Sequence, residues 1–138
     1  MDKLFETLLK AIGENPEREG LLKTPYRASQ AWKFLTKGYQ ADPEKIVNGA
    51  LFTAESQDLV MVKDITFYSV CEHHLLPFFG KMHVGYIPNQ KIIGLSKIPR
   101  LVEVFTQRLQ LQERIHAQLA DLLLEILKPQ GVAIISES

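Results

Sequence analysis

Three features of the sequence predict an α+β fold. The first fifty residues carry helical patterns and no strand signal, and a β-branched and aromatic run from Leu59 to Val70 precedes an alternating run from Lys81 to Ile87. Two amphipathic helical patterns then separate these runs from a last apolar stretch, Val132 to Ile135. The order strand, strand, helix, helix, strand predicts an antiparallel β-sheet with two antiparallel helices on one face. Residues 1–50 form an N-terminal helical region, and residues 51–138 form the sheet region that carries the chemistry.

Leu4, Phe5, Leu8, Leu9 and Ile12 recur at helical spacing behind Asp2, which is expected to cap the helix, and Gly13 with Pro16 ends it. A polar connector leads to Thr24-Pro25, a cap followed by proline at the first helical position. Ala28, Ala31, Trp32 and Leu35 line one face of that second helix, which Gly38 closes. Asp42-Pro43 repeats the signal for a short third helix that ends near Asn48-Gly49. Leu59 to Val70 then reads as a long strand and Lys81 to Ile87 as its partner. Pro88-Asn89-Gln90 turns the chain into a short strand, Lys91 to Ile93. Ser96 is the expected cap of a helix with Ile98, Leu101, Val102 and Phe105 facing inward, and Pro99 falls in its first turn, where proline is tolerated. Gln112 to Leu127 is the next helix, with Ile115, Leu119, Leu122, Leu123 and Ile126 on its buried face. Pro129 and Gly131 break it before the final strand, which is expected to need a fourth strand for pairing.

At 138 residues the chain has single-domain length, yet it is short for an enzyme that must enclose a nucleotide by itself, which points to subunit interfaces. Sixteen basic and sixteen acidic side chains cancel, so nothing attracts the chain globally to nucleic acid or an anionic membrane. A phosphate site must therefore be local. A single cysteine excludes a disulfide framework, and no apolar run approaches membrane-span length, so a cytoplasmic protein without a signal peptide is expected.

The stretch from Tyr68 to Gly80 holds that cysteine, Cys71, with His73 and His74 close behind it. A thiolate and an imidazole three positions apart can reach one Zn²⁺ if the backbone turns between them, so Cys71 and His74 are the candidate metal ligands. His73 lies beside them, placed to exchange protons with whatever the metal activates. Zinc sites need at least three protein ligands, and His83 and His116 remain open candidates. Ser96, Lys97 and Arg100 put a hydroxyl and two cations on the first turn of a helix, where free N–H groups favour a phosphate, although ordinary capping plus exposed charge is the preferred reading of this feature taken alone. Gln112-Glu113 opens the next helix. Glu113 either complements the helix dipole or, pointed into a pocket, matches the adjacent N–H donors of a guanine edge.

Asn15-Pro16-Glu17-Arg18-Glu19-Gly20-Leu21-Leu22, Thr24-Pro25-Tyr26-Arg27, Cys71-Glu72-His73-His74-Leu75-Leu76-Pro77-Phe78, Gly94-Leu95-Ser96-Lys97 and Gln110-Leu111-Gln112-Glu113-Arg114 occur in this order. Together they resemble the GTP cyclohydrolase I family over essentially the whole chain. The resemblance implies the tunnelling fold and a Zn²⁺ enzyme that hydrolyses the imidazole ring of GTP at C8, releases formate and forms 7,8-dihydroneopterin triphosphate, the entry to folate or tetrahydrobiopterin. It implies zinc on Cys71 and His74, proton transfer by His73, guanine recognition by Glu113 with Gln112, and triphosphate binding by Ser96, Lys97 and Arg100. It also implies a homodecamer of two stacked pentamers with active sites between subunits. In the family, the strand matching Gly131 to Ser138 runs into a His-x-Cys pair that supplies the third zinc ligand, followed by a last strand and helix; these are absent from the sequence given. The expectation is a partial sequence of a working enzyme. The alternatives are a non-catalytic tunnelling-fold subunit that binds purine or pterin or regulates an intact relative, and a tunnelling-fold enzyme acting on a related deazapurine or pterin.

Overall fold

The structure, a computed structural model, describes residues 1–138. Helix α1 (Asp2–Ala11) packs mainly on α2 (Thr24–Leu35), through Phe5 against Trp32, ring centroids 6.5 Å apart. Neither expected cap forms here. Asp2 lies inside the first turn of α1, and the Thr24 hydroxyl donates back to the Gly20 carbonyl instead of accepting from the helix. Pro25 sits in the first turn of α2, where its missing N–H costs nothing. The helix ends at Leu35, ahead of Gly38, which belongs to a 3₁₀ turn, Lys37–Gln40. A Cβ on Gly38 would collide with the Val104 carbonyl and lie 2.7 Å from that of Gln107, so only glycine lets this turn rest on the following layer. Asp42 does cap α3 (Pro43–Val47): its carboxylate accepts from Glu44 N–H at 3.0 Å and Lys45 N–H at 3.5 Å.

Strand β1 (Leu51–Thr53), which periodicity does not announce, pairs antiparallel with β4 (Lys91–Ile93). The main sheet contains β2 (Val60–Cys71), β3 (Pro77–Ile87), β5 (Leu109–Gln110) and β6 (Gly131–Glu137) in the order β5-β2-β3-β6. All neighbours are antiparallel except β5, which runs parallel to β2. β3 starts four residues before Lys81, because proline is acceptable as the first residue of a strand. β6 pairs with β3 along its whole length, from Ile87↔Gly131 to Lys81↔Glu137, so it finds its partner without a further strand, and the fourth strand is β5 at the opposite edge.

Helices α4 (Lys97–Thr106) and α5 (Gln112–Leu127) cover one face of this sheet. Ile98, Leu101, Val102 and Phe105 of α4, and Ile115, Leu119, Leu123 and Leu127 of α5, close over Ile65, Phe67, Met82 and Val84 to form the core. Ser96 stands at the N-terminus of α4 but makes no capping bond, because its own backbone is already helical. Lys128, in the left-handed region at φ 45°, stops α5 before Pro129. No helix is long and apolar enough to cross a membrane.

Candidate active site

β2 and β3 are joined by a short turn that carries Cys71, Glu72, His73 and His74. Two backbone bonds close it: Cys71 N–H donates to the Leu76 carbonyl and Leu75 N–H to that of Cys71, each at 2.9 Å. Leu75 adopts φ 60°, a conformation that a residue with a Cβ takes only when its surroundings impose it. The edge strand β5 anchors the same turn from the other side. Gln110 pairs with Cys71, Glu72 N–H donates to the Gln110 carbonyl at 3.2 Å, and Val70 N–H donates to that of Arg108. The turn is thus held by backbone on both flanks while its side chains stay accessible.

Cys71 is half-buried and unoxidised, and His73 lies next to it, Nδ1 at 4.0 Å from Sγ. His74 bends the other way: its Nδ1 accepts from Leu76 N–H at 3.4 Å, which fixes the ring and leaves Nε2 for another partner. The donor chemistry, one thiol and exposed imidazoles, suits zinc. No three His, Cys, Asp or Glu side chains within residues 1–138 converge to hold a metal, so Cys71 and His74 remain candidate ligands that do not form a complete site by themselves. His83 and His116 are committed elsewhere. His83 Nδ1 accepts from Asp64 N–H at 3.1 Å, across an irregularity in β2 where Asp64 has φ 59°. His116 Nε2 lies 2.7 Å from the Ser136 hydroxyl on β6.

The first turn of α5 comes to the same end of the sheet because β5 delivers it directly after Gln110. Gln112 is half-buried and hydrogen-bonded to β6, and Glu113 is exposed. Arg114 reaches across to the Cys71–His74 turn, where its guanidinium donates to both carboxylate oxygens of Glu72. These hydrogen bonds hold the Glu72 carboxyl below the ordinary glutamate range. Sequence reading gave neither partner a role. The only signal was opposite charge within two motifs, and 42 positions separate them.

The phosphate candidates lie elsewhere. Ser96 and Lys97 begin α4 and Arg100 follows one turn later, beside a cleft shared with Lys37, Glu103 and Gln107. The ten residues of α4 span about 15 Å at 1.5 Å per residue, and it is the far end of this helix that leads to β5 and Cys71. Within one chain, then, Cys71, His73, His74, Gln112 and Glu113 gather at one end of the fold, while Ser96, Lys97 and Arg100 stand at the other end of α4.

The fold is like that of the archaeosine synthase QueF-Like in its apo form, with a TM-score of 0.56 over 61% of this chain and 83% of that one, at 23% identity, a likeness of fold alone. The molecule is a tunnelling-fold protein with a Cys/His cluster at a strand end. Residues 1–138 match the family model of GTP cyclohydrolase I, and the chain belongs to that family. It is 56% identical over 137 residues to the GTP cyclohydrolase 1 of Campylobacter lari, a match covering 99% of this chain and 72% of that protein. The protein of the same name from Chlorobaculum tepidum is 58% identical over 132 residues, 96% of this chain and 59% of the relative. That of Neurospora crassa is 58% identical over 141 residues, all of this chain and 45% of the relative. The family expected from the motifs is the family found, and these names belong to the enzyme reading rather than to a non-catalytic binding subunit.

Proposed function

We propose that this chain acts as a GTP cyclohydrolase I, opening the imidazole ring of GTP by hydrolysis, releasing C8 as formate and yielding 7,8-dihydroneopterin triphosphate for tetrahydrofolate or other pterin synthesis. The observation that carries this reading is the joining of the Cys71–His74 turn to the first turn of α5 through Glu72 and Arg114. That contact sets candidate metal ligands and candidate base-reading groups side by side.

In this reading Cys71 and His74 are the donors these residues contribute to zinc, with further donors supplied from outside them. Zinc, when bound, supplies a Lewis acid that makes water acidic enough to attack near neutral pH. His73, exposed beside Cys71, takes up and returns the protons of that hydrolysis. The two carboxylate oxygens of Glu113 accept from the neighbouring N–H donors of the guanine edge, and Gln112 completes the recognition. Ser96, Lys97 and Arg100 hold the triphosphate oxyanions. Their separation from Cys71 along α4 supports an active site assembled between subunits, in a homodecamer of two stacked pentamers, in which one chain's phosphate end faces another chain's metal end. Residues 51–138 are the catalytic region, residues 1–50 are a helical region serving packing and assembly, and the protein works in the cytoplasm.

Formate released from GTP by the purified full-length protein, with and without a strong zinc chelator, tests the reading. GTP-dependent formate that the chelator abolishes, together with a loss of turnover of about 10²-fold or more in His73→Ala, is the expected result. Full activity in His73→Ala would overturn the role given to it. Tight purine binding with no formate would put the non-catalytic subunit in place of the enzyme.

A further inference from the structure

Gln112 and His116 stand one turn apart on the same side of α5, and both meet a single hydroxyl on β6. Gln112 Nε2 donates to Ser136 Oγ at 2.8 Å, and His116 Nε2 lies 2.7 Å from the same oxygen. Two residues further on, just beyond β6, the Ser138 hydroxyl donates to Gln112 Oε1 at 3.1 Å. Gln112, His116 and Ser136 are all half-buried, and Ser136 is fixed in register opposite Met82 of β3. A hydroxyl has one proton and two lone pairs. When His116 Nε2 accepts that proton, a lone pair of Ser136 is left for Gln112 N–H, and the carboxamide is pinned with its nitrogen toward Ser136 and its oxygen toward Ser138.

We propose that Ser136 and His116 are positioning residues that set the orientation of the Gln112 carboxamide and thereby the ligand edge it reads. This rests on the reading of Gln112 and Glu113 as base-recognition groups. A primary amide offers two N–H donors and two lone pairs, and Ser136 and Ser138 use one of each. One donor and one acceptor remain, on fixed sides. They match the neighbouring carbonyl and N–H groups of a guanine or pterin lactam edge. A carboxamide free to rotate by half a turn presents the reverse pattern half of the time, so releasing it weakens binding of the base without touching the groups that perform hydrolysis.

The test is steady-state kinetics with GTP on the full-length protein, alongside calorimetric titration of GTP and a thermal melt for each variant. One neutral hydrogen bond corresponds to about a three- to tenfold change. Ser136→Ala and His116→Ala are therefore each expected to raise KM and Kd for GTP by that factor with kcat within about twofold. Ser136→Thr, which keeps the hydroxyl, is expected to bring both back to within about twofold of wild type. Glu113→Gln separates the two layers. If it raises KM while Ser136→Ala and His116→Ala leave KM unchanged in folded protein, the positioning role is overturned and the base reading stands. If Glu113→Gln leaves KM and Kd unchanged, or if GTP does not bind at all, the base reading falls and the positioning role with it. A fall in kcat with KM constant in Ser136→Ala likewise overturns the proposal.

Discussion

Replacing Gln110 by alanine isolates the polar contact that holds the edge strand beside the Cys71–His74 turn. Gln110 is only 2% exposed, and its side-chain amide donates to the Phe105 carbonyl at 2.7 Å and to Gln118 Oε1 at 2.8 Å. Its own Oε1 is buried with no protein partner. Truncation removes two hydrogen bonds worth about 1 kcal/mol each and strands the Phe105 carbonyl at a further cost of about 1 kcal/mol, while relieving a penalty of about the same size at Oε1. The net loss is about 2 kcal/mol. With about 2.1 cal/mol/K of unfolding entropy per residue, 138 residues carry about 0.3 kcal/mol/K, so the midpoint is expected to fall by about 7 °C. Gln118→Ala removes one of the two bonds and is expected to cost about 1 kcal/mol. The double variant is expected to be about 1 kcal/mol more stable than the sum of the two singles predicts, because both remove the same bond. Urea titration and calorimetry of the four proteins, followed by far-ultraviolet circular dichroism, measure this cycle. A cost below about 0.5 kcal/mol for Gln110→Ala, or additive single variants, would refute the account of the β5 anchor.

Two further perturbations bear on the same end of the fold. The Arg114 guanidinium holds the Glu72 carboxyl below the ordinary value of 4.5. A depressed carboxyl stabilises the fold above its unfolded value, and that contribution disappears as pH falls through the lower folded value. Melting temperature is therefore expected to drop more steeply below about pH 4.5 in wild type than in Glu72→Gln, and parallel curves would dissolve the pairing. On β3, a Cβ at Gly80 would land on the Glu137 carbonyl oxygen and 3.0 Å from Phe67 Cε1. Gly80→Ala is expected to cost about 1–3 kcal/mol and to speed hydrogen exchange in the last residues of β6, whereas unchanged exchange would place that carbonyl elsewhere.

Features written in neighbouring residues were legible in the sequence. The bounds of α5 follow from its periodicity and from Pro129, and Asp42-Pro43 states a cap that forms in the structure. Asp2, Thr24 and Ser96 read as caps by composition, but each has backbone or helix register that leaves its side chain outside the capping position. Capping depends on one dihedral pair, which residue type does not determine. β5 was invisible because two residues have no periodicity, and its parallel pairing exists only because α4 returns the chain to Cys71. The cluster Cys71-Glu72-His73-His74 was legible as a group of donor side chains at a strand end, where the structure places it. The contacts across it were not: Glu72 with Arg114 and Gln112 with Ser136 join residues 42 and 24 positions apart.

The contact between Phe5 and Trp32 has a consequence for anyone who follows this protein optically. Trp32 is the only tryptophan, and it sits in the α1–α2 hairpin, whose first helix buries no residue and packs mainly on the second. Its emission therefore reports the loosest layer of the molecule. The hairpin can part from the sheet while the core beneath α4 and α5 is intact, so a fluorescence transition is expected to run ahead of the loss of amide-exchange protection in α4 and α5, whose inner faces are buried. The gap between the two curves measures how independently the N-terminal helices open.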